Sequence, residues 1–117
     1  MSKHIIIIED DEELRSNMTM IIQLEGYRVT AFSSLTSIEE LAELNASLFI
    51  LDERLPYISG HIIAIMLHCN SVTRHIPQIL ISGSPMLANY AELAEVNGML
   101  RKPFELAELL SMIRSFS

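Results

Sequence analysis

Five residues, far apart in the chain, could do chemistry if they were brought together: Glu9, Asp10, Asp52, Ser82 and Lys102. Three carboxylates packed side by side repel one another unless a cation sits among them. Hard oxygen ligands that leave positions for water suit Mg²⁺. A cation shared with an aspartate oxygen suits phosphoryl transfer, because charge on the equatorial phosphoryl oxygens must be neutralised while an Asp oxygen attacks. An ammonium such as that of Lys102 and a hydroxyl such as that of Ser82 would then contact those oxygens as a point charge and a donor.

Whether the five meet depends on the elements that carry them. Each follows a short apolar run. Ile5-Ile6-Ile7-Ile8 precedes Glu9, Ser47-Leu48-Phe49-Ile50-Leu51 precedes Asp52, Ile79-Leu80-Ile81 precedes Ser82, and Met99-Leu100 precedes Lys102. Such unbroken runs fit strands buried on both faces, the mark of a parallel sheet. A further strand is expected over Tyr27–Phe32. Helical spacing fills the gaps: Leu14, Met18, Ile21 and Ile22 up to a stop at Gly26; Ile38, Leu41 and Leu44 behind a cap within Ser34–Ser37; Ile62, Ile63, Met66 and Leu67 in 61–69; a helix over 86–96, broken by Asn97-Gly98; and Leu106, Leu109, Leu110, Ile113 and Phe116 in the last helix, 104–116. Strand then helix, five times over, predicts a parallel α/β sheet with helices on both faces. Ligands in such open sheets bind beyond the carboxyl ends of the strands, where the five residues stand.

The composition narrows the class. The chain has 117 residues, room for one domain spanning 1–117, and half of them are apolar, enough for a core. The net charge is -7 and no basic cluster exists, which excludes a nucleic-acid grip by this domain. Apolar runs fall far short of the roughly 20 residues of a membrane span. One cysteine, Cys69, allows no internal disulfide; with no secretory signal, a cytoplasmic setting is expected. Cys69 is expected to pack as a small apolar residue, and Met20, Met66, Met86, Met99 and Met112 to fill core or groove. His4, His61, His68 and His75 are too scattered for a metal site. Taken alone, Glu9–Glu13 would be a solvated acidic helix start; Asp52, Ser82 and Lys102 in register are what give it another meaning.

In four stretches the chain resembles the receiver domain of bacterial two-component response regulators: Ile7-Ile8-Glu9-Asp10-Asp11, Leu51-Asp52-Glu53-Arg54-Leu55-Pro56, Ile79-Leu80-Ile81-Ser82-Gly83 and Arg101-Lys102-Pro103-Phe104. The resemblance implies a flavodoxin-like (βα)5 sandwich with strand order 2-1-3-4-5. It implies Asp52 as phosphoacceptor, with Mg²⁺ held by Glu9, Asp10, Asp52 and the backbone carbonyl of Arg54. Ser82 becomes the switch hydroxyl, Lys102 the phosphoryl contact, and the bond before Pro103 is expected to be cis. A sensor histidine kinase or a histidine phosphotransfer protein would be the donor, the output would be an attached domain or a docked target, and a homodimer is possible. The chain is then not an enzyme on other substrates, since it assists only its own phosphotransfer and autodephosphorylation. One departure stands out: the family often has Tyr or Phe three residues before the lysine, where this chain has Met99. Response to phosphorylation is therefore expected around Ser82–Tyr90 and at Arg101. The alternative is an aspartyl-nucleophile phosphatase of the haloacid-dehalogenase type. That motif needs a second Asp where Arg54 stands, and a cap for which 117 residues leave no space.

Overall fold

The computed structural model describes residues 3–116. Strands and helices alternate throughout: β1 His4–Ile8, α1 Glu12–Leu24, β2 Arg28–Phe32, α2 Ile38–Ala42, β3 Leu48–Asp52, α3 Gly60–His68, β4 Gln78–Ser82, α4 Leu87–Ala94, β5 Gly98–Arg101 and α5 Leu106–Ser115. All strand pairs are parallel and the order is β2-β1-β3-β4-β5, as the resemblance implied.

The apolar runs behave as two-faced strands because successive side chains point to opposite sides of a sheet. Ile5, Ile7, Leu48, Ile50, Ile79 and Ile81 pack on one face against Met18 and Ile22 of α1 and Leu109, Leu110 and Ile113 of α5. Ile6, Ile8, Phe49, Leu51 and Leu80 pack on the other against Ile38 and Leu41 of α2, Ile63, Ala64 and Leu67 of α3, and Leu87 and Ala94 of α4. The three central strands are buried along their whole length. Ser37 caps α2, accepting a hydrogen bond from the Glu40 backbone N–H at 3.1 Å, and Gly26 ends α1 at φ +97°.

Some expectations need correcting. The inward face of α3 is Ile63, Ala64 and Leu67, while Ile62 and Met66 face outward. Met20, Met66, Met86 and Met99 are exposed, and only Met112 of the five packs against the core. Cys69 is exposed at the end of α3 and does not pack as an apolar residue. The helix after Pro103 begins at Leu106, because Glu105 and Glu108 form a reciprocal capping box there. His4 is a satisfied core histidine: its Nδ1 donates to the Leu44 carbonyl at 2.8 Å, and its Nε2 accepts from the Thr30 hydroxyl at 2.7 Å.

Candidate functional site

The acidic run at the end of β1 divides its labour. Glu9 continues the ladder, its N–H bonded to the Phe32 carbonyl at 2.9 Å, and its side chain is buried. Asp10 stays exposed beside it. Asp11 turns back as the N-cap of α1, accepting from the Leu14 N–H at 3.0 Å, and Glu12 and Glu13 lie in the first helical turn, where acids favour the helix dipole. The Arg15 guanidinium pins the turn by donating to the Glu9 carbonyl at 2.8 Å.

Asp52 is the last residue of β3, pairs in register with Ile81 and is buried. Ser82 ends β4. Its Oγ accepts the Ser84 N–H at 2.9 Å, and its carbonyl accepts the Lys102 N–H at 3.0 Å. That bond delivers Lys102 one residue past β5, just before a cis Lys102-Pro103 bond. Its ammonium lies 2.7 Å from Asp52 Oδ1 and 3.2 Å from Glu9 Oε1. Apart from that shared ammonium, neither of these buried oxygens has a partner. One ammonium therefore serves two buried carboxylates on different strands, and Asp10 adds a third acid with no cation of its own among the interactions described.

The electrostatics follow. Burial pushes the Asp52 carboxyl above its ordinary range, against the opposing pull of the Lys102 ammonium and the Arg54 backbone N–H; Asp10 adds to the rise. Burial raises Glu9 as well, with the Asp11 backbone N–H and Lys102 pulling the other way. Burial works against the charge on Lys102, but the two acids outweigh it and its pKa is raised. The asymmetry has a simple cause: the lysine gains from both acids, whereas each acid gets part of one ammonium. A second cation fits this deficit. Ligand oxygens of Glu9, Asp10 and Asp52 lie within 4.8 Å of one another, and they edge an open cavity of about 820 Å³ that Ser82, Arg54 and Lys102 also line. An all-oxygen set open to water suits Mg²⁺.

Two residues that the motif reading gave no role complete the site. Gly60 donates to the Glu53 carbonyl at 3.0 Å, and a Cβ at that position would run into the Asp52 backbone carbonyl. Gly60 thus lets the start of α3 close on the strand end that holds Asp52. In the sequence it is marked only as a glycine four residues after Pro56. Glu53 is also buried, and both of its carboxylate oxygens go to His61. Met99 stands apart from the site, 45 % exposed on the edge strand.

Residues 5–114 match the family model of the response regulator receiver domain, and the chain belongs to that family. It is a receiver domain of two-component signalling systems, a class of phosphoacceptors, and the phosphatase alternative finds no support. Among its relatives is the uncharacterised transcriptional regulatory protein YkoG of Bacillus subtilis, 30% identical over 115 residues that cover 96% of this chain and 50% of YkoG. The chain thus spans about half the length of that relative. A putative response regulator of Chloroflexus aurantiacus superposes with a TM-score of 0.92 at 21% identity, covering 99% of this chain and 98% of that one. The receiver domain of a sensor histidine kinase of Pseudomonas aeruginosa, solved with a magnesium ion in its active-site cleft, gives 0.87 at 22% identity over 99% of this chain and 98% of that one. No helix among the described residues is long and apolar enough to cross a membrane.

Proposed function

We infer that this chain takes a phosphoryl group onto Asp52 from a phosphohistidine of a sensor kinase or phosphotransfer protein in the cytoplasm, and passes the signal on through its surface. The observation that carries this reading is the pair of buried carboxylates, Glu9 and Asp52, sharing the single Lys102 ammonium at the mouth of an open cavity. A purely structural ion pair does not require two buried strand-end carboxylates to share one ammonium at the edge of an open cavity.

An Asp52 carboxylate oxygen attacks phosphorus in line. A P–O bond forms as the P–N bond to the donor imidazole breaks, the electron pair staying on that nitrogen, and an acyl phosphate results. The side chains of Glu9, Asp10 and Asp52 and the Arg54 carbonyl would hold Mg²⁺, which supplies positive charge to the phosphoryl oxygens. Lys102, already 2.7 Å from Asp52 Oδ1, passes from that oxygen to a phosphoryl oxygen. The Ser82 hydroxyl accepts from Ser84 and has its own hydrogen to donate toward the new group. Phosphorylation adds about -1.5 to -2 charges near neutral pH, so both contacts tighten. Water in the same open cavity later hydrolyses the anhydride.

Incubation with acetyl phosphate and Mg²⁺ tests this by mass spectrometry. One phosphoryl group should be added, none without the metal, and none in Asp52→Asn, whose amide is a poor nucleophile. Undiminished labelling of the Asn variant would sink the assignment.

A further inference from the structure

We propose that Glu53, His61 and Tyr90 form one positioning unit that couples the Asp52 pocket to α4, taking the place of a ring at position 99. The inference rests on the phosphoacceptor reading and extends it to how occupancy of the site is communicated. Glu53 directly follows Asp52, and its N–H extends the ladder to the Ile81 carbonyl at 2.8 Å. Its Oε1 accepts the His61 backbone N–H at 2.8 Å and its Oε2 accepts from His61 Nδ1 at 2.7 Å. The carboxylate can only accept, so Nδ1 carries the proton. The imidazole then lies against the Tyr90 ring, centroids 4.6 Å apart and planes within 12°. Tyr90 belongs to α4 and lines the same cavity as Asp52 and Lys102. An unbroken run of bonded or stacked groups therefore leads from the phosphoacceptor strand through the start of α3 to α4.

Helix capping explains only part of this. Ser59 makes no side-chain cap bond, so Glu53 Oε1 satisfies a free N–H at the start of α3. Capping requires neither the second bond to the ring nor the stack on another helix. Both fix the orientation of the imidazole, and through it the wall of the cavity nearest α4. A second tie reaches the same region from β5, where the Arg101 guanidinium donates to the Ser84 carbonyl at 2.7 Å, but it bypasses Asp52. Met99 is exposed on the edge strand, and a methionine side chain packs adaptably.

The test follows backbone amides by ¹H–¹⁵N NMR while the chain is titrated with Mg²⁺ and then with beryllofluoride, a tetrahedral stand-in for the phosphoryl group. In the wild type, amides of Leu87–Ala94 should shift on beryllofluoride binding. His61→Ala keeps the Glu53 cap but loses ring bond and stack; Tyr90→Leu keeps both Glu53 bonds and loses only the stack. Both should reduce the α4 shifts about fivefold, the lower end of ordinary coupling, with Mg²⁺ affinity altered less than about twofold on the same scale. Tyr90→Phe should restore the response, and the double variant should behave as either single. Wild-type shifts in a folded His61→Ala and in Tyr90→Leu would overturn the coupling and leave Glu53 a helix cap. Should His61→Ala fail to fold, Tyr90→Leu decides alone. A wild type that binds neither Mg²⁺ nor beryllofluoride would refute the phosphoacceptor reading itself, a result distinct from intact binding with an unchanged α4 response.

Discussion

Replacing Lys102 with alanine should destabilise the fold as well as disable signalling, and the size of the effect follows from the geometry. The ammonium sits 2.7 Å from one buried carboxylate oxygen and 3.2 Å from another. At an effective dielectric of about 20, each contact is worth roughly 5–6 kcal/mol before desolvation is counted. Removing one partner of a buried pair typically costs about 3–5 kcal/mol, because an uncompensated charge stays behind. The Lys102 side chain is 30% exposed, so water fills part of the gap, and the expected loss at neutral pH and without Mg²⁺ is about 2–3 kcal/mol. For a domain of this size that lowers the melting temperature by about 10 °C. The pH dependence has a definite sign. Asp52 and Glu9 have raised native pKa values, so they bind protons more tightly in the native state, and losing the ammonium raises them further. The cost in Lys102→Ala should therefore be full at neutral pH and shrink as acid protonates both groups. Millimolar Mg²⁺ should recover part of it by binding the folded state. Adding Asp52→Asn should also recover part, since one orphaned charge disappears. Calorimetry across pH and Mg²⁺ concentration reads all of this. A variant that melts within about 2 °C of wild type, or a double variant no more stable than Lys102→Ala, would refute the shared-ammonium argument.

Asp52→Asn alone should melt higher than the wild type at neutral pH, because a carboxylate whose pKa is raised by burial opposes folding once ionised; the advantage should vanish below the ordinary value of 3.8, as a pH series of melting curves would show. Gly60→Ala should cost about 3 kcal/mol in denaturant unfolding, since the new methyl meets the Asp52 backbone carbonyl and no flexible side chain can yield; an effect below about 0.5 kcal/mol would mean that α3 shifts freely. Met99→Tyr should alter partner affinity more than the rate of acetyl-phosphate labelling, because position 99 lies away from the reacting atoms; a labelling rate changed about tenfold would contradict that placement.

The sheet and the five central residues were legible because Glu9, Asp10, Asp52 and Ser82 stand at or just past the ends of buried apolar runs, Lys102 follows a shorter and less buried one, and parallel strand ends share one edge. Glu9, Asp52, Ser82 and Lys102 needed no long-range information beyond that rule. Exposure was less legible. Ile62 and Met66 share a helical face with each other, but hydrophobicity alone does not say that Ile63, Ala64 and Leu67 win the inward side. Cys69 was misplaced because a residue type's average burial says nothing about a helix end. The Glu53–His61 pair was hidden for a different reason. Its two members are separated by a loop and join only when Gly60 lets α3 close on β3, and no residue-type pattern at that spacing announces such a contact.

The order of the sheet also sets which part of the site is the most easily detached. The acids come from β1 and β3, each flanked by strands on both sides, whereas Lys102 follows β5, a four-residue edge strand bonded to β4 alone. Local opening of a protein begins where fewest neighbours hold an element. Fraying at this edge would withdraw the positive charge while leaving the negative charges in place. The protein's electrostatic balance is thus tied to an edge strand of the sheet, and amide exchange in β5 should quicken when Mg²⁺ takes over part of the neutralisation, because opening then leaves less charge uncompensated.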